Sequence, residues 1–281
     1  MAFKSLMVHL DDGAGSAQRM ELAVRLASRF GAGLIGVYLV PTAELTPTVA
    51  ALLPEDAVKL RLAESGESQR RAEALFRQSA AAGRVGSVEW RAPAGFAMDA
   101  AAAHARCVDL AIIGQPDPDD GESGFARRLA EHVLLGGACP ALFVPYARAG
   151  ADAGTRVLVA WDAGREAARA LHDALPFLET AGQVVVVSLA RGRADADADA
   201  IALAQPRLAA YLHAHGIDAQ FKRFDGDQIE GGERLLSQAA DLGSDLIVMG
   251  GYAHSRAREL ILGGVTRTIL ASMTVPVLMS H

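Results

Sequence analysis

Short apolar runs alternate along this chain with longer segments whose apolar residues recur at helical spacing. In the first half the runs predict strands near Ser5–Leu10, Gly33–Leu39, Ser87–Ala92, Leu110–Ile113 and Ala141–Val144. The helical patterns between them lie near Ala17–Phe30, Ala57–Ala82, Ala97–Ala105 and Phe125–Leu135. In the second half the predicted strands lie near Arg156–Ala160, Gln183–Ser188, Asp218–Arg223, Leu246–Met249 and Val275–Met279. Apolar strands separated by helices predict a parallel sheet that is covered on both faces.

The second half repeats the first. Asp11 and Asp162 each close the first apolar run of their half, and the offset between them is 162 − 11 = 151. The segment Asp109–Gly114 matches Asp245–Gly250, but here the offset is 245 − 109 = 136. The first half therefore holds an excess of 151 − 136 = 15 over the second, which we place between Pro41 and Gly66 as an added helix or lid.

The predicted fold class is α/β, with two tandem doubly wound five-stranded parallel-sheet domains related by internal duplication. The domains are expected at residues 1–147 and 155–281, because the alanine- and glycine-rich stretch between them is typical of a linker. Ligands of such sheets bind outside the carboxyl ends of the strands, where the strand order reverses.

Charge and composition narrow the class of protein. The net charge is −6 with no basic run, which argues against nucleic acid as the main partner. No stretch approaches the roughly 20 apolar residues that span a bilayer, and the first residues do not resemble a secretory leader. The two cysteines, Cys107 and Cys139, are typical of reduced, buried thiols. A cytoplasmic protein is expected.

The candidate site lies in the second half, after the fourth strand. This strand ends near Gly250, and the next helix is expected to begin near Gly264. Glycines let a backbone approach a phosphate closely, and the N–H groups and dipole of a helix start favour anions. Asp162 would form the opposite wall, where its carboxylate accepts from an adenine or ribose group. The predicted nucleotide-binding residues are Asp162, Ala163, Gly250, Ala253, His254, Arg256, Gly263, Gly264, Val265 and Thr266.

These residues resemble the motif of the universal stress protein family. The motif consists of a glycine, two residues, a glycine, nine residues, a glycine and a serine or threonine. Gly250 and Gly263 match it, whereas Ala253 replaces the second glycine and Gly264 replaces the hydroxyl residue. In that family the loop holds the phosphates and ribose of ATP, and an aspartate at the position of Asp162 contacts the adenine.

The resemblance covers both halves and implies a stress-response regulatory protein with an adenine nucleotide α-hydrolase-like fold. It implies ATP or AMP as the ligand. It also implies an intramolecular pseudo-dimer in which the fifth strands pair, and whole chains that pair again as homodimers.

In the first half the corresponding loop carries acids instead of donors. At constant offset, Gly250 corresponds to Gly114 and Ala253 to Asp117, while further carboxylates stand at Asp119, Asp120 and Glu122. Like charges oppose a polyphosphate, so the first site is predicted to be degenerate.

The sequence is also compatible with two other functions. One is a nucleotide-free protein-interaction module in which both sites are degenerate. The other is an enzyme that transfers AMP or splits ATP, but the turn after Asp162 lacks the Ser-Gly-Gly loop that such chemistry needs. The sequence predicts no catalytic residues and at most slow, incidental ATP hydrolysis. It predicts no metal site, since His213 and His215 are two apart on a helix and do not face each other.

Overall fold

A computed structural model describes residues 2–40, 52, 54–93, 97–117, 119, 123–146, 152–190, 196–225, 231–251 and 264–281. Its strands are β1 (Ser5–Leu10), β2 (Gly33–Tyr38), β3 (Val88–Arg91), β4 (Leu110–Gly114), β5 (Ala141–Val144), β6 (Arg156–Ala160), β7 (Gln183–Ala190), β8 (Ala219–Asp225), β9 (Leu246–Gly250) and β10 (Val277–Ser280). Its helices are α1 (Ser16–Phe30), α2 (Glu55–Ala82), α3 (Ala97–Ala105), α4 (Ser123–Gly136), α5 (Arg165–Asp173), α6 (Leu175–Leu178), α7 (Ala196–Ala214), α8 (Gly231–Asp241) and α9 (Gly264–Ser272).

The described strands form one ten-stranded sheet in the order β3-β2-β1-β4-β5-β10-β9-β6-β7-β8. Within each half the neighbours are parallel and follow the same order, third-second-first-fourth-fifth. The halves meet where β5 pairs with β10 in antiparallel fashion. The predicted duplicated α/β fold and the pairing of the fifth strands are therefore confirmed.

The strand registers locate the extra length of the first half. Leu34 pairs with Val88 across β2 and β3, a separation of 88 − 34 = 54. Val184 pairs with Ala219 across β7 and β8, a separation of only 219 − 184 = 35. The connection after β2 is therefore the longer one, whereas the next connection, from β3 to β4, is shorter than that from β8 to β9. The excess thus lies in the connection from β2 to β3, which contains the predicted stretch Pro41–Gly66, and the added helix or lid predicted there falls partly on residues 41–51 and 53, which are outside the described part of the chain.

One device ties the strands together in both halves. The Asp109 carboxylate accepts hydrogen bonds from the N–H groups of Lys4 and Ser5, at 2.7 and 2.9 Å. Asp245, its counterpart in the second half, accepts from Thr155 and Arg156 in the same way. Each carboxylate satisfies backbone donors at the start of the first strand, which fixes that strand against the fourth.

Buried apolar residues form two clusters, one on each face of the sheet. The first cluster joins residues of α1, α2 and α7, and the second joins residues of α3, α4, α8 and α9. Phe3, Phe30 and Phe177 meet edge-to-face across the two halves, with ring centroids 5.1–5.6 Å apart. Beside them the Arg29 guanidinium donates to the Ala153 carbonyl and to the Thr180 hydroxyl. The halves therefore share a packed, hydrogen-bonded interface.

The structure also bears on the expectations about membrane-spanning helices and about the two cysteines. No helix in the described ranges is long and apolar enough to cross a membrane. Both cysteines are free thiols, but the expectation that both are buried is wrong, because Cys107 is exposed and Cys139 is half-buried. Cys107 is exposed because it follows the last turn of α3, at the surface of the protein.

Candidate functional site

The predicted site lies at the carboxyl edge of the second half, between β6 and β9. These strands are neighbours, with Val159 paired to Val248. Asp162 follows β6 by two residues, and Gly250 is the last residue of β9. The fold therefore brings these two predicted residues to one edge at the point where the strand order reverses, which is where such sheets bind ligands.

A tight turn presents Asp162 to solvent. Its Oδ1 accepts a hydrogen bond of 2.8 Å from the N–H of Gly164, which closes an Asx turn. Ala163, between them, has φ 61°, the left-handed region that residues with a Cβ rarely adopt. The strained alanine turns the chain from β6 into α5. Asp162 itself is exposed.

Gly250 is required by packing. A Cβ on this residue would lie 2.7 Å from the backbone nitrogen of Ala167 and 2.7 Å from the carbonyl carbon of Glu166. Real Cβ atoms do not approach backbone that closely, so only glycine lets β9 end against the first turn of α5. The glycine that the motif predicts thus has a structural role, independent of any phosphate.

Glu166 is a member of this edge that sequence reasoning missed. Its backbone touches Gly250, and its Oε1 accepts from the Arg165 guanidinium at 3.0 Å. Burial raises the pKa of Glu166, but its own backbone N–H and the Arg165 guanidinium outweigh burial and hold the pKa below its usual value. In the sequence, Glu166 is recognisable only as an acidic residue in the first turn of a helix. The helix dipole by itself explains an acidic residue at such a position.

The other wall of the predicted site is the start of α9. Gly264 is exposed, Val265 is half-buried and Thr266 is buried. A Cβ on Gly264 would meet no atom of the described residues within 4 Å, so these residues leave open space at this helix start. Ala253, His254, Arg256 and Gly263, which complete the predicted phosphate loop, lie outside the described residues.

The first half has a different arrangement at the same place. Arg19 of α1 is only 4% exposed, and its Nε donates to the His9 carbonyl at 2.6 Å. Its Nη2 donates to Asp11 at 2.9 Å. A Cβ on Gly114, the counterpart of Gly250, would lie 2.2 Å from Arg19 Nη1. The guanidinium therefore occupies the crevice between β1 and β4.

Little room remains in that crevice. The cavity beside Arg19, Gly114 and Tyr146 measures about 50 Å³. Sites for small ligands usually enclose roughly 300–1,000 Å³. The prediction that the first site is degenerate rested on its acidic loop, of which Asp120 and Glu122 lie outside the described residues. Arg19 adds a physical reason that the sequence did not suggest.

Two ionisable groups depend on Arg19. Burial raises the pKa of Asp11, but the Arg19 guanidinium, His9 and the Gly13 N–H outweigh it and hold the pKa below its usual range. Burial lowers the pKa of His9 to about 4, against the attraction of Asp11 and with the repulsion of Arg19. His9 is therefore neutral at pH 7, when its Nε2–H donates to the Leu39 carbonyl at 2.8 Å.

The residue after Gly114 links this crevice to the other half. The Gln115 amide is buried and donates to the carbonyl of Leu270, in α9, at 3.0 Å. The equivalent residue in the second half is Gly251, where a Cβ would lie 2.9 Å from the Leu134 side chain of α4. Leu134 and Leu270 are equivalent residues, so the same contact between the halves occurs twice. On one side it is the hydrogen bond from Gln115 to Leu270, and on the other it is the close approach of Gly251 to the Leu134 side chain.

Comparison with known proteins is consistent with this geometry. Residues 154–281 match the model of the universal stress protein family. A universal stress protein from Archaeoglobus fulgidus DSM 4304 has a similar structure, with a TM-score of 0.74 and 16% identity, over 98% of this chain and 97% of that one. A putative universal stress protein from Pseudomonas aeruginosa UCBPP-PA14 gives 0.61 and 15%, over 99% and 93%.

The same two-domain fold occurs outside that family name. The cytoplasmic domain of a prokaryotic cation chloride cotransporter aligns with a TM-score of 0.56 and 9% identity, over 99% of this chain and 95% of that one. No curated protein matches the sequence. At these identities the structures show the fold alone. Residues 154–281 are similar to the universal stress protein family, and the first half of the chain has the same fold.

Proposed function

We propose that this chain is a stress-response regulatory protein that binds ATP or another adenine nucleotide in its second domain. The observation that carries the proposal is a difference between two equivalent aspartates. Asp11 is neutralised by Arg19, whereas Asp162 is exposed and Ala170 stands at the position of Arg19. The crevice edge that is closed in the first half thus keeps its carboxylate available in the second.

The supporting chemistry is that of adenine and phosphate recognition. Asp162 supplies an acceptor at the end of the first strand, and the exposed start of α9 supplies backbone N–H donors with the dipole of a helix behind them. His254 and Arg256 are the proposed side-chain donors to phosphate. No catalytic residue is proposed, so the nucleotide acts as a regulatory ligand.

Calorimetric titration of the full chain with ATP and with AMP tests this function. We expect one nucleotide per chain, because Arg19 closes the first crevice. Trp161 directly precedes Asp162, so a Trp90→Phe variant would leave one indole whose fluorescence reports on the site. Two equivalent sites per chain, or no saturable binding of either nucleotide, would contradict the proposal. Absence of binding would favour the nucleotide-free interaction module.

The first prediction concerns the charge of Asp162. Asp162→Asn keeps the oxygen that closes the turn with Gly164 but removes the charge, and we expect ATP binding to weaken about tenfold, since hydrogen bonds to charged groups contribute about 1.5–3 kcal/mol. Asp218→Asn, at another exposed position of the same half, is the matched control and should bind like the parent. Equal affinity of the Asp162 variant and the control would remove Asp162 from the site.

The second prediction is a gain of affinity. Gly264→Ser restores the hydroxyl of the family motif, and the open space around Gly264 accommodates it. We expect ATP to bind about fivefold more tightly, because a net hydrogen bond contributes about 1 kcal/mol. Gly264→Ala, which adds the Cβ without the hydroxyl, is the control. If both variants bind ATP equally, this helix start does not contact phosphate.

A further inference from the structure

A second, larger cavity lies in the first half, between α1 and α2 at the carboxyl end of β1. Its volume is about 230 Å³. Its wall is largely apolar. It is formed by the buried side chains of Leu10 and Met20 together with Ala17, Ala72 and Leu75. Leu75 is 47% exposed, unusual for a large apolar side chain of this protein. An apolar cavity of about 150 Å³ already holds a benzene ring, so the room suffices for a small ring.

One end of this cavity is polar. Asp12 lines it and accepts hydrogen bonds from the Tyr38 hydroxyl, at 3.1 Å, and from the Ser68 hydroxyl. Burial raises the pKa of Tyr38 to about 12, so this phenol stays protonated and remains a donor. Two hydroxyl donors therefore hold the Asp12 carboxylate in place.

Among the described side chains, no cation forms an ion pair with Asp12, whose carboxylate is exposed. Arg19 pairs with Asp11 and not with Asp12. Arg71 also lines the cavity, but its side chain is 71% exposed and its guanidinium lies 3.9 Å from the Glu67 carboxylate. The cavity thus combines apolar walls with one carboxylate that two hydroxyl groups hold in place and that has no ion-pair partner among the described side chains, which favours a ligand with a positive charge on an apolar body.

The cavity is distinct from the nucleotide position. The crevice filled by Arg19 faces β4, whereas this cavity faces α2, and the residues 11–14 separate them. In the second half, Trp161 stands at the position of Leu10 and Ala163 at that of Asp12. The bulky indole and the missing carboxylate mean that this combination of wall and charge belongs to the first half.

We propose that the first domain binds a small organic cation, a primary amine or amidine on a compact apolar group, in the cavity between α1 and α2. The ammonium or amidinium group pairs with Asp12, and the apolar group lies against Leu10, Met20 and Leu75. The inference does not depend on nucleotide binding by the second half.

The test uses the full chain, labelled with ¹⁵N, and benzylamine as the probe. We expect saturable shifts confined to the backbone N–H groups around the cavity, with a dissociation constant on the order of 1 mM. Benzoate and benzyl alcohol, which have the same ring without the positive charge, should bind at least tenfold more weakly. Equal binding of the three compounds, or no saturable shift with benzylamine, overturns the proposal.

Two variants separate the charge from the space. Asp12→Asn removes the charge, and Ala17→Leu fills the cavity from an exposed helix position without changing any charge. Each should weaken benzylamine binding at least tenfold, whereas Asp56→Asn, in the exposed first turn of α2, should not. Thermal melting confirms that each variant is folded. If Ala17→Leu melts like the parent and binds benzylamine equally, the cavity is not the site.

Discussion

Arg19→Ala is expected to lower the free energy of unfolding by about 3 kcal/mol, because breaking a buried ion pair leaves an uncompensated charge. The change strips Asp11 of its cation and the His9 carbonyl of a donor, in a crevice where the Arg19 side chain is 5% exposed. Urea denaturation of the full chain, followed by circular dichroism, measures the effect.

A control variant at an exposed ion pair tests whether burial, and not the distance between the charges, determines the loss of stability. Lys59 and Glu55 are closer, at 2.7 Å, but their side chains are 67% and 82% exposed. Lys59→Ala should therefore change stability by less than about 1 kcal/mol. In the double variant Arg19→Ala/Asp11→Ala, part of the loss should be recovered, since no charge is left behind. If the single Arg19 variant is as stable as the Lys59 variant, the guanidinium does not stabilise the crevice.

Stability should also fall steeply in mild acid because of His9. Its pKa is about 4 in the folded chain against 6.5 in the unfolded chain, so between these values the unfolded state binds more protons. The stabilisation is complete above pH 6.5 and is lost as the pH falls to about 4. The loss over this window is about 3 kcal/mol, at roughly 1.4 kcal/mol for each pKa unit. The lowered pKa of Asp11 adds a further loss below its unfolded value of 3.8.

The readout is the slope of unfolding free energy against pH, not the stability itself. His9→Gln keeps a side-chain donor for the Leu39 carbonyl but cannot titrate, so its slope between pH 4 and 6.5 should be clearly smaller than that of the parent. His213→Gln, at an exposed position of α7, should keep the parent slope. Identical slopes for all three proteins would show that His9 is not buried as a neutral group.

The sequence alone predicted most of the fold, because the strands are short apolar runs with clear ends. The start and end of β1, β5 and β6 agree with their predicted bounds, and the other strands differ by one or two residues. The duplication was visible because the same aspartates and glycines recur at strand ends. The predicted excess of 15 residues is a net value, because the separation across β2 and β3 exceeds that across β7 and β8 by 54 − 35 = 19 residues, whereas the connection after β3 is shorter than its counterpart. A single offset cannot separate such opposing changes.

The tertiary structure alone decided what each site contains. The sequence identified Asp11 and Asp162 as equivalents, but not that Arg19 neutralises only the first, since a helical arginine is usually solvent-exposed. Gly250 was predicted as a phosphate-loop glycine, and its backbone contact with α5 became visible only once the strand and helix were packed together. The cavity beside Asp12 combines the end of β1 and the adjacent start of α1 with α2, which is distant in the chain. Periodicity reports which face of an element is buried, whereas the partner that buries it is set by packing between elements.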